Sequence, residues 1–133
     1  MTDAPHRTPD PTDAPDAARI AAQNDRFRRH VCLGAALTPG EPLAGTLVVT
    51  LGVLAEGDAF VRACLRAVGA VTVFPPEDDP EGWHDFGAVE VRGQEVWFKL
   101  DLYDAQDPTW GSEAPDDPAR TWRVLTVLLP CEW

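Results

Sequence analysis

The stretch EGWHDFGAVEVRGQEVWFKLDLYD, residues 81–104, decides the fold because it holds the clearest local pattern in the chain. Between residues 95 and 102, apolar side chains alternate with polar or amphipathic ones, which is the period of a strand with one buried face. A second apolar run occupies residues 86–91, and Arg92-Gly93 between the two runs is typical of a tight turn. The pattern predicts a β-hairpin, and the residues on its solvent-facing side are Glu90, Trp97, Lys99, Asp101 and Tyr103.

Patterns on either side of the hairpin predict the rest of the domain. Apolar residues at three- and four-residue steps predict helices at 16–31 and 57–71, and β-branched apolar runs predict strands at 46–51 and 121–129. The strand at 46–51 is expected to be central, because its side chains suit burial on both faces. A short edge strand is expected at 71–74. The predicted fold is α+β, with two helices packed on one face of a mostly antiparallel sheet of four or five strands with a central β-hairpin.

Polar residues at the start of the first predicted helix and within it have expected structural roles. Asp13 or Asp16 is placed to cap the helix N-terminus. Asn24 lies on the apolar stripe of that helix, where its amide needs hydrogen-bond partners. We therefore expect Asn24 to tie the helix to a loop backbone, and a catalytic role for it is the alternative.

One domain accounts for most of the chain, since 133 residues suffice for a single core without disulfide bonds. Residues 1–15 are rich in proline and predict a disordered acidic tail, and residues 16–133 form the domain. The three cysteines are too scattered for a disulfide framework or a metal site. The sequence shows neither a signal-peptide pattern nor an apolar run of about 20 residues, so a cytoplasmic location is expected.

The net charge of −11 is concentrated in one part of the chain. Residues 76–118 hold 13 of the 22 acidic residues and only 2 of the 11 basic ones, so this segment carries the whole net charge. Such a field repels nucleic acid and anionic membranes, which argues against both as direct ligands. Spaced carboxylates can instead imitate a phosphate backbone and occupy the basic groove of a nucleic-acid-handling protein. The alternative is that the acidic excess serves solubility only.

The acidic loops on either side of the hairpin hold the candidate binding residues. Large aromatic side chains in such loops are typical of binding surfaces, although they can equally anchor the loops to the domain. The candidate partner-binding residues are Glu77, Asp78, Asp79, Trp83, Asp104, Asp107 and Trp110. The expected partner is a basic protein surface, such as that of a nucleic-acid-handling enzyme. A dimer formed through the exposed sheet face is a further alternative.

A histidine and three carboxylates near the open end of the hairpin form a candidate metal or acid–base site. Extending the hairpin register around Arg92-Gly93 places His84 opposite Asp101. A small metal-dependent enzyme would use His84, Asp85, Asp101 and Asp104, whereas the structural alternative is that these groups order loop backbone. The sequence has no phosphate-binding loop, zinc-protease motif or nucleophile elbow, so no catalytic residue and no cofactor is assigned.

Several separated motifs resemble one bacterial family. They are HDFG at 84–87, FKLDLYD at 98–104, GSEAPDDPA at 111–119 and RVLTVLL at 123–129, with RIAAQNDRFRR at 19–29 and TLG at 50–52. In this order they resemble the domain-of-unknown-function family numbered three-seven-six-eight. Its members are small and often encoded on plasmids and other mobile elements, which implies an inhibitor of a host defence or DNA-processing enzyme. The chain departs from the family at Gly82-Trp83, where a glutamate is usual before the histidine, and its end, CEW, stands where an acidic-aromatic terminus is usual.

Overall fold

A computed structural model describes residues 14–133, which form an α+β domain of three α-helices and four strands. In chain order these are α1 (Ala17–Leu33), β1 (Gly45–Val49), α2 (Leu51–Leu54), α3 (Asp58–Gly69), β2 (Phe86–Val91), β3 (Gln94–Asp104) and β4 (Thr121–Leu128). Single 3₁₀ turns at Pro118–Arg120 and Pro130–Glu132 flank β4. The predicted fold class is confirmed. Most of the predicted tail, residues 1–13, lies outside the described part of the chain.

The four strands form one mixed sheet in the order β1-β4-β3-β2. The pairs β2–β3 and β3–β4 are antiparallel, and β1 runs parallel to β4. The predicted hairpin and its register are confirmed, since Phe86 pairs with Lys99 and Glu90 with Glu95. The hairpin is not central as a unit, however, because only β3 is an inner strand and β2 forms one edge of the sheet.

Two strand predictions are wrong. The apolar run at 46–51 is not central: β1 is the other edge, and its residues Thr46 and Val48 are exposed on the outer face. This edge strand has the apolar sequence that is typical of a strand buried on both faces, which is why its position was predicted wrongly. The residues at 71–74 form no strand, because the Val71 carbonyl accepts a hydrogen bond from helix α1 and the Phe74 ring stacks on a loop histidine.

Helices α1 and α3 pack on the same face of the sheet, as predicted, and the one-turn helix α2 was not expected. The core joins Phe27 of α1 and Val68 of α3 to Phe98 and Leu125 of the inner strands. Each such side chain contributes about 1.5–3 kcal/mol on burial. The opposite face is partly solvated, with Lys99 half-exposed. No helix within residues 14–133 combines the length and the apolar character needed to cross a membrane.

A buried polar network fastens α1 to both acidic loops. Asn24 donates to the Trp83 carbonyl in the first loop (3.0 Å) and accepts from Nε of Arg123 on β4 (2.9 Å). Gln23 donates to the Asp116 carbonyl in the second loop (3.0 Å) and accepts from Nη2 of Arg123 (2.7 Å). Burial lowers the pKa of Arg123 to about 10, because desolvation disfavours its charged form. The expected role of Asn24 is confirmed, whereas the burial of Gln23 and Arg123 was not predicted.

A second buried arginine, Arg28, joins α1 to the end of α3. Its guanidinium donates to the carbonyls of Val68 (3.1 Å) and Val71 (2.8 Å) and to the carboxylate of Asp25 (3.0 Å). It also lies over the ring of Phe74, with 5.2 Å between the guanidinium carbon and the ring centroid. Burial lowers its pKa, an effect that Asp25 opposes. The segment that follows α3 is thus fixed to α1 before it enters the first acidic loop.

Candidate functional site

Both acidic loops leave the same end of the sheet. The first, residues 75–85, leads into β2, and the second, residues 105–117, follows β3. Because β2 and β3 are antiparallel, the start of one lies beside the end of the other, opposite the turn at Arg92-Gly93. The topology therefore gathers the acidic segments, which are separated in sequence, at one end of the domain.

The first loop is organised by Asp79, which is buried. Its carboxylate accepts hydrogen bonds from the backbone N–H groups of Trp83 and His84, each at 3.0 Å. His84 has a φ of +58°, the left-handed conformation that lets both N–H groups converge on one oxygen. Asp79 was predicted to contact a partner, but its carboxylate faces the interior of its own loop.

His84 turns toward α1 and away from the hairpin, so its predicted placement opposite Asp101 is wrong. The strand ladder ends at the pair Phe86–Lys99, with one further hydrogen bond in register from the Leu100 N–H to the Asp85 carbonyl (2.8 Å), and the positive φ of His84 turns the chain away at the next residue. Its Nδ1 donates to the Asp25 carboxylate (3.0 Å), and its ring stacks on Phe74 with centroids 4.1 Å apart. Across residues 14–133, no three histidine, cysteine or acidic side chains are grouped to hold a metal ion.

The second loop uses its predicted carboxylates in tight turns. Asp104 accepts from the N–H groups of Gln106 (2.8 Å) and Asp107 (3.1 Å), and Asp107 accepts from that of Thr109 (3.2 Å). These are local side-chain-to-backbone turns, which order a loop without any partner. The Trp110 side chain is 68% exposed, whereas Trp83 is half-buried and its carbonyl is held by α1.

A groove of about 500 Å³ lies between the first loop, the start of β2 and the outer face of β3. It combines five carboxylates, one ammonium group and two aromatic rings, from Glu77, Asp78, Glu81, Asp85, Asp101, Lys99, Phe86 and Trp133. The pKa of Asp85 is raised, first by partial burial and then by the negative charges of Asp79, Glu81 and Asp101. The groove thus gathers carboxylates that repel one another beside an aromatic wall.

The ring of Trp133 is held at the groove by the residue before it. The Glu132 carboxylate accepts from the Thr50 hydroxyl (2.6 Å) and from the backbone N–H groups of Gly52 and Leu129 (both 2.8 Å). We call these contacts the Glu132 clasp. A β-carbon at Gly52 would lie 2.6 Å from the Glu132 carboxyl carbon, so the position suits only glycine while the clasp is closed.

A family model described as "Protein of unknown function (DUF3768)" matches residues 49–132. The chain belongs to this family. The family resemblance that the sequence motifs predicted is thereby confirmed. The segment of this chain that matches the DUF3768 model does not include the motif at 19–29. The match spans both parts of the Glu132 clasp, from Thr50 and Gly52 to Glu132 itself. No curated protein and no solved structure matches the chain.

Sequence reasoning did not identify the clasp or the aromatic wall of the groove. Thr50 and Glu132 are separated by most of the domain, and neither residue alone has an unusual local pattern. The TLG motif at 50–52 belongs to the family resemblance and the CEW end is a departure from it, so the sequence does not connect the two. Their meeting depends on β1 lying parallel to β4, because parallel neighbours have their carboxyl ends at the same end of the sheet.

Opening the Glu132 clasp is expected to release Trp133. The pKa of Glu132 lies below its ordinary value of 4.5, mainly because the Thr50 hydroxyl donates to the ionised form. The clasp is therefore fully present above pH 4.5 and is lost as the pH falls through the lower pKa of the folded state. Glu132→Gln should release the ring at neutral pH, seen as movement of the Trp133 indole resonance toward its free position. Glu56→Gln, an exposed change outside the clasp, should leave that resonance unmoved, and an unmoved resonance in Glu132→Gln would contradict the clasp.

Proposed function

We propose that this protein is a non-enzymatic binding protein whose acidic end engages a basic protein surface in place of nucleic acid. The observation that carries the proposal is the convergence of both acidic loops at one end of the sheet, around a carboxylate-lined groove. A basic groove that binds a phosphate backbone has the complementary charge. Residence on a mobile element, which the family resemblance implies, suits an inhibitor of a host nucleic-acid-handling enzyme in the cytoplasm.

The candidate carboxylates differ in their hydrogen bonds, and this difference supports a division of their proposed roles. Asp79, Asp104 and Asp107 accept hydrogen bonds from their own loops, so their first role is structural. Glu77 and Glu81 are exposed at the groove, where their charges can meet a partner. We therefore assign the first contact with a basic surface to the rim of the groove, and Trp110 contributes an exposed ring in the second loop.

Neutralising the groove rim should weaken binding to a basic partner. Host lysate is passed over the immobilised protein at low salt, and the bound proteins are eluted with double-stranded DNA. The eluted partner is then titrated with the purified parent protein and with each variant. The double variant Glu77→Gln with Glu81→Gln should bind on the order of tenfold more weakly, since each exposed ion pair contributes up to about 1 kcal/mol. Affinity should also fall with added salt, because exposed charges are screened.

A control variant removes two negative charges from positions outside the groove. Glu56→Gln with Glu90→Gln also neutralises two exposed glutamates, but neither residue lines the groove. This control should retain the affinity of the parent protein. The proposal fails if DNA elutes no basic protein, or if the control loses as much affinity as the groove variant.

A further inference from the structure

The groove contains a half-buried carboxylate without a counterion. Partial burial and three neighbouring carboxylates disfavour the ionised form of Asp85. No lysine, arginine or histidine among residues 14–133 forms an ion pair with it. A hydrogen bond with its own backbone opposes this rise in the pKa of Asp85 but does not cancel it. A cation from outside the chain would remove the repulsion that Asp85 experiences.

The aromatic wall beside this carboxylate is built in advance. Trp133 meets Phe86 and Trp97 edge-on, with ring centroids 5.6 and 5.7 Å apart, while its side chain remains 69% exposed. The chain already brings one cation to this ring: Nζ of Lys99 lies 5.7 Å from the Trp133 centroid and 3.1 Å from the Asp101 carboxylate. A ring and a carboxylate around an ammonium group is the arrangement that binds cations.

We propose that the groove binds the guanidinium group of an arginine side chain from a partner protein, between the ring of Trp133 and the carboxylate of Asp85. This inference rests on the proposed function and names the side chain that the acidic end recognises. Arginine fits better than lysine because its planar group stacks on an aromatic ring while donating two hydrogen bonds to one carboxylate. A groove of about 500 Å³ lies within the range of small-ligand sites, and its net negative lining excludes anions.

The probe that tests this site is N-acetyl-arginine amide, titrated into the full ¹⁵N-labelled chain. Its neutral counterpart, N-acetyl-citrulline amide, has nearly the same shape without the charge. The Trp133 indole N–H resonance should shift saturably with the arginine probe and stay in place with the citrulline probe. Trp110, exposed in the other loop and outside the groove, should respond to neither and serves as the internal reference.

Two variants of groove residues, with one control, test which side chains bind the arginine probe. Asp85→Asn should weaken arginine binding about tenfold, as expected for the loss of a charge-assisted hydrogen bond. Glu113→Gln removes the same charge from an exposed residue outside the groove and should change the affinity less than about twofold. Trp133→Ala removes the wall and should weaken binding by a similar factor to Asp85→Asn.

Asp85→Asn is also expected to unfold at a higher denaturant concentration than the parent at neutral pH. Because folding raises the pKa of Asp85, its ionised form destabilises the folded state, and the destabilisation grows as the pH rises through that pKa. Weaker arginine binding in a more stable protein cannot be attributed to unfolding.

Three results would overturn the arginine site. They are an equal response to citrulline, an equal loss in Glu113→Gln, or unchanged affinity in both Asp85→Asn and Trp133→Ala. If any of these results is obtained while the affinity for a DNA-eluted partner still depends on Glu77 and Glu81, only the arginine site is rejected. If arginine binds as expected but no basic protein is retained, the site stands and the proposed function is rejected.

Discussion

Replacing Arg28 with alanine is expected to lower the free energy of unfolding by about 3–5 kcal/mol, the typical effect of removing one partner from a buried ion pair. Arg28 is fully buried, and its loss leaves the carbonyls of Val68 and Val71 without their donor. The Asp25 carboxylate keeps only its contact with His84, and a void opens against Phe74. Urea denaturation followed by circular dichroism gives the change directly.

The neighbouring residue supplies the control for this prediction. Arg29→Ala removes the same side chain from a position that is only half-buried. It should cost no more than about 1 kcal/mol, since changes away from buried networks are usually small. Arg28→Lys should fall between the two variants, because lysine keeps the charge and loses the planar donor geometry. Equal losses in Arg28→Ala and Arg29→Ala would show that the buried guanidinium does not stabilise the fold.

Asn24→Ala is expected to cost about 2–4 kcal/mol, because it leaves two buried groups unpaired at once. One is Nε of Arg123, since Gln23 and the Pro115 carbonyl accept only from Nη2 and no carboxylate within residues 14–133 forms a salt bridge with this guanidinium. The other is the carbonyl of Trp83, which anchors the first acidic loop. The same denaturation experiment measures the loss, and hydrogen exchange at the His84 amide reports on the loop.

Asn24→Asp separates the two contacts. Aspartate keeps an oxygen for Arg123 and adds a favourable charge, but it has no hydrogen to donate to the Trp83 carbonyl. It should therefore cost less global stability than Asn24→Ala while still loosening the loop. An alanine variant within about 0.5 kcal/mol of the parent, with unchanged exchange at His84, would contradict a structural role for this amide.

The hairpin could be predicted from the sequence in detail because its determinants are local. Strict alternation along β3 and a glycine-containing turn specify both the strand pairing and the register, and the structure has Phe86 opposite Lys99 as expected. The α+β class followed from counting helix and strand patterns. The charge segregation also needed only the sequence, and the topology of the hairpin brought the two acidic loops together.

The errors lie where a side chain's environment is set by distant parts of the chain. The burial of Arg28 is not predicted by the sequence, because buried arginines are rare and its acceptors come from the end of α3. His84 was assigned by extending a strand register that a positive φ interrupts. The strand β1 has an apolar composition but lies at an edge of the sheet. The Glu132 clasp joins residues that no local pattern connects.

The attachment of both acidic loops to α1 has a consequence for the thermodynamics of recognition. Asn24 holds the first loop, and Gln23 holds the second. Loops that are ordered in the free protein lose little conformational entropy when a partner arrives, so more of the electrostatic attraction appears as affinity. Encounter with a basic partner would then require no folding step, and charge steering could set its rate. A helix outside the matched family segment would in this way set how fast and how tightly the acidic end binds.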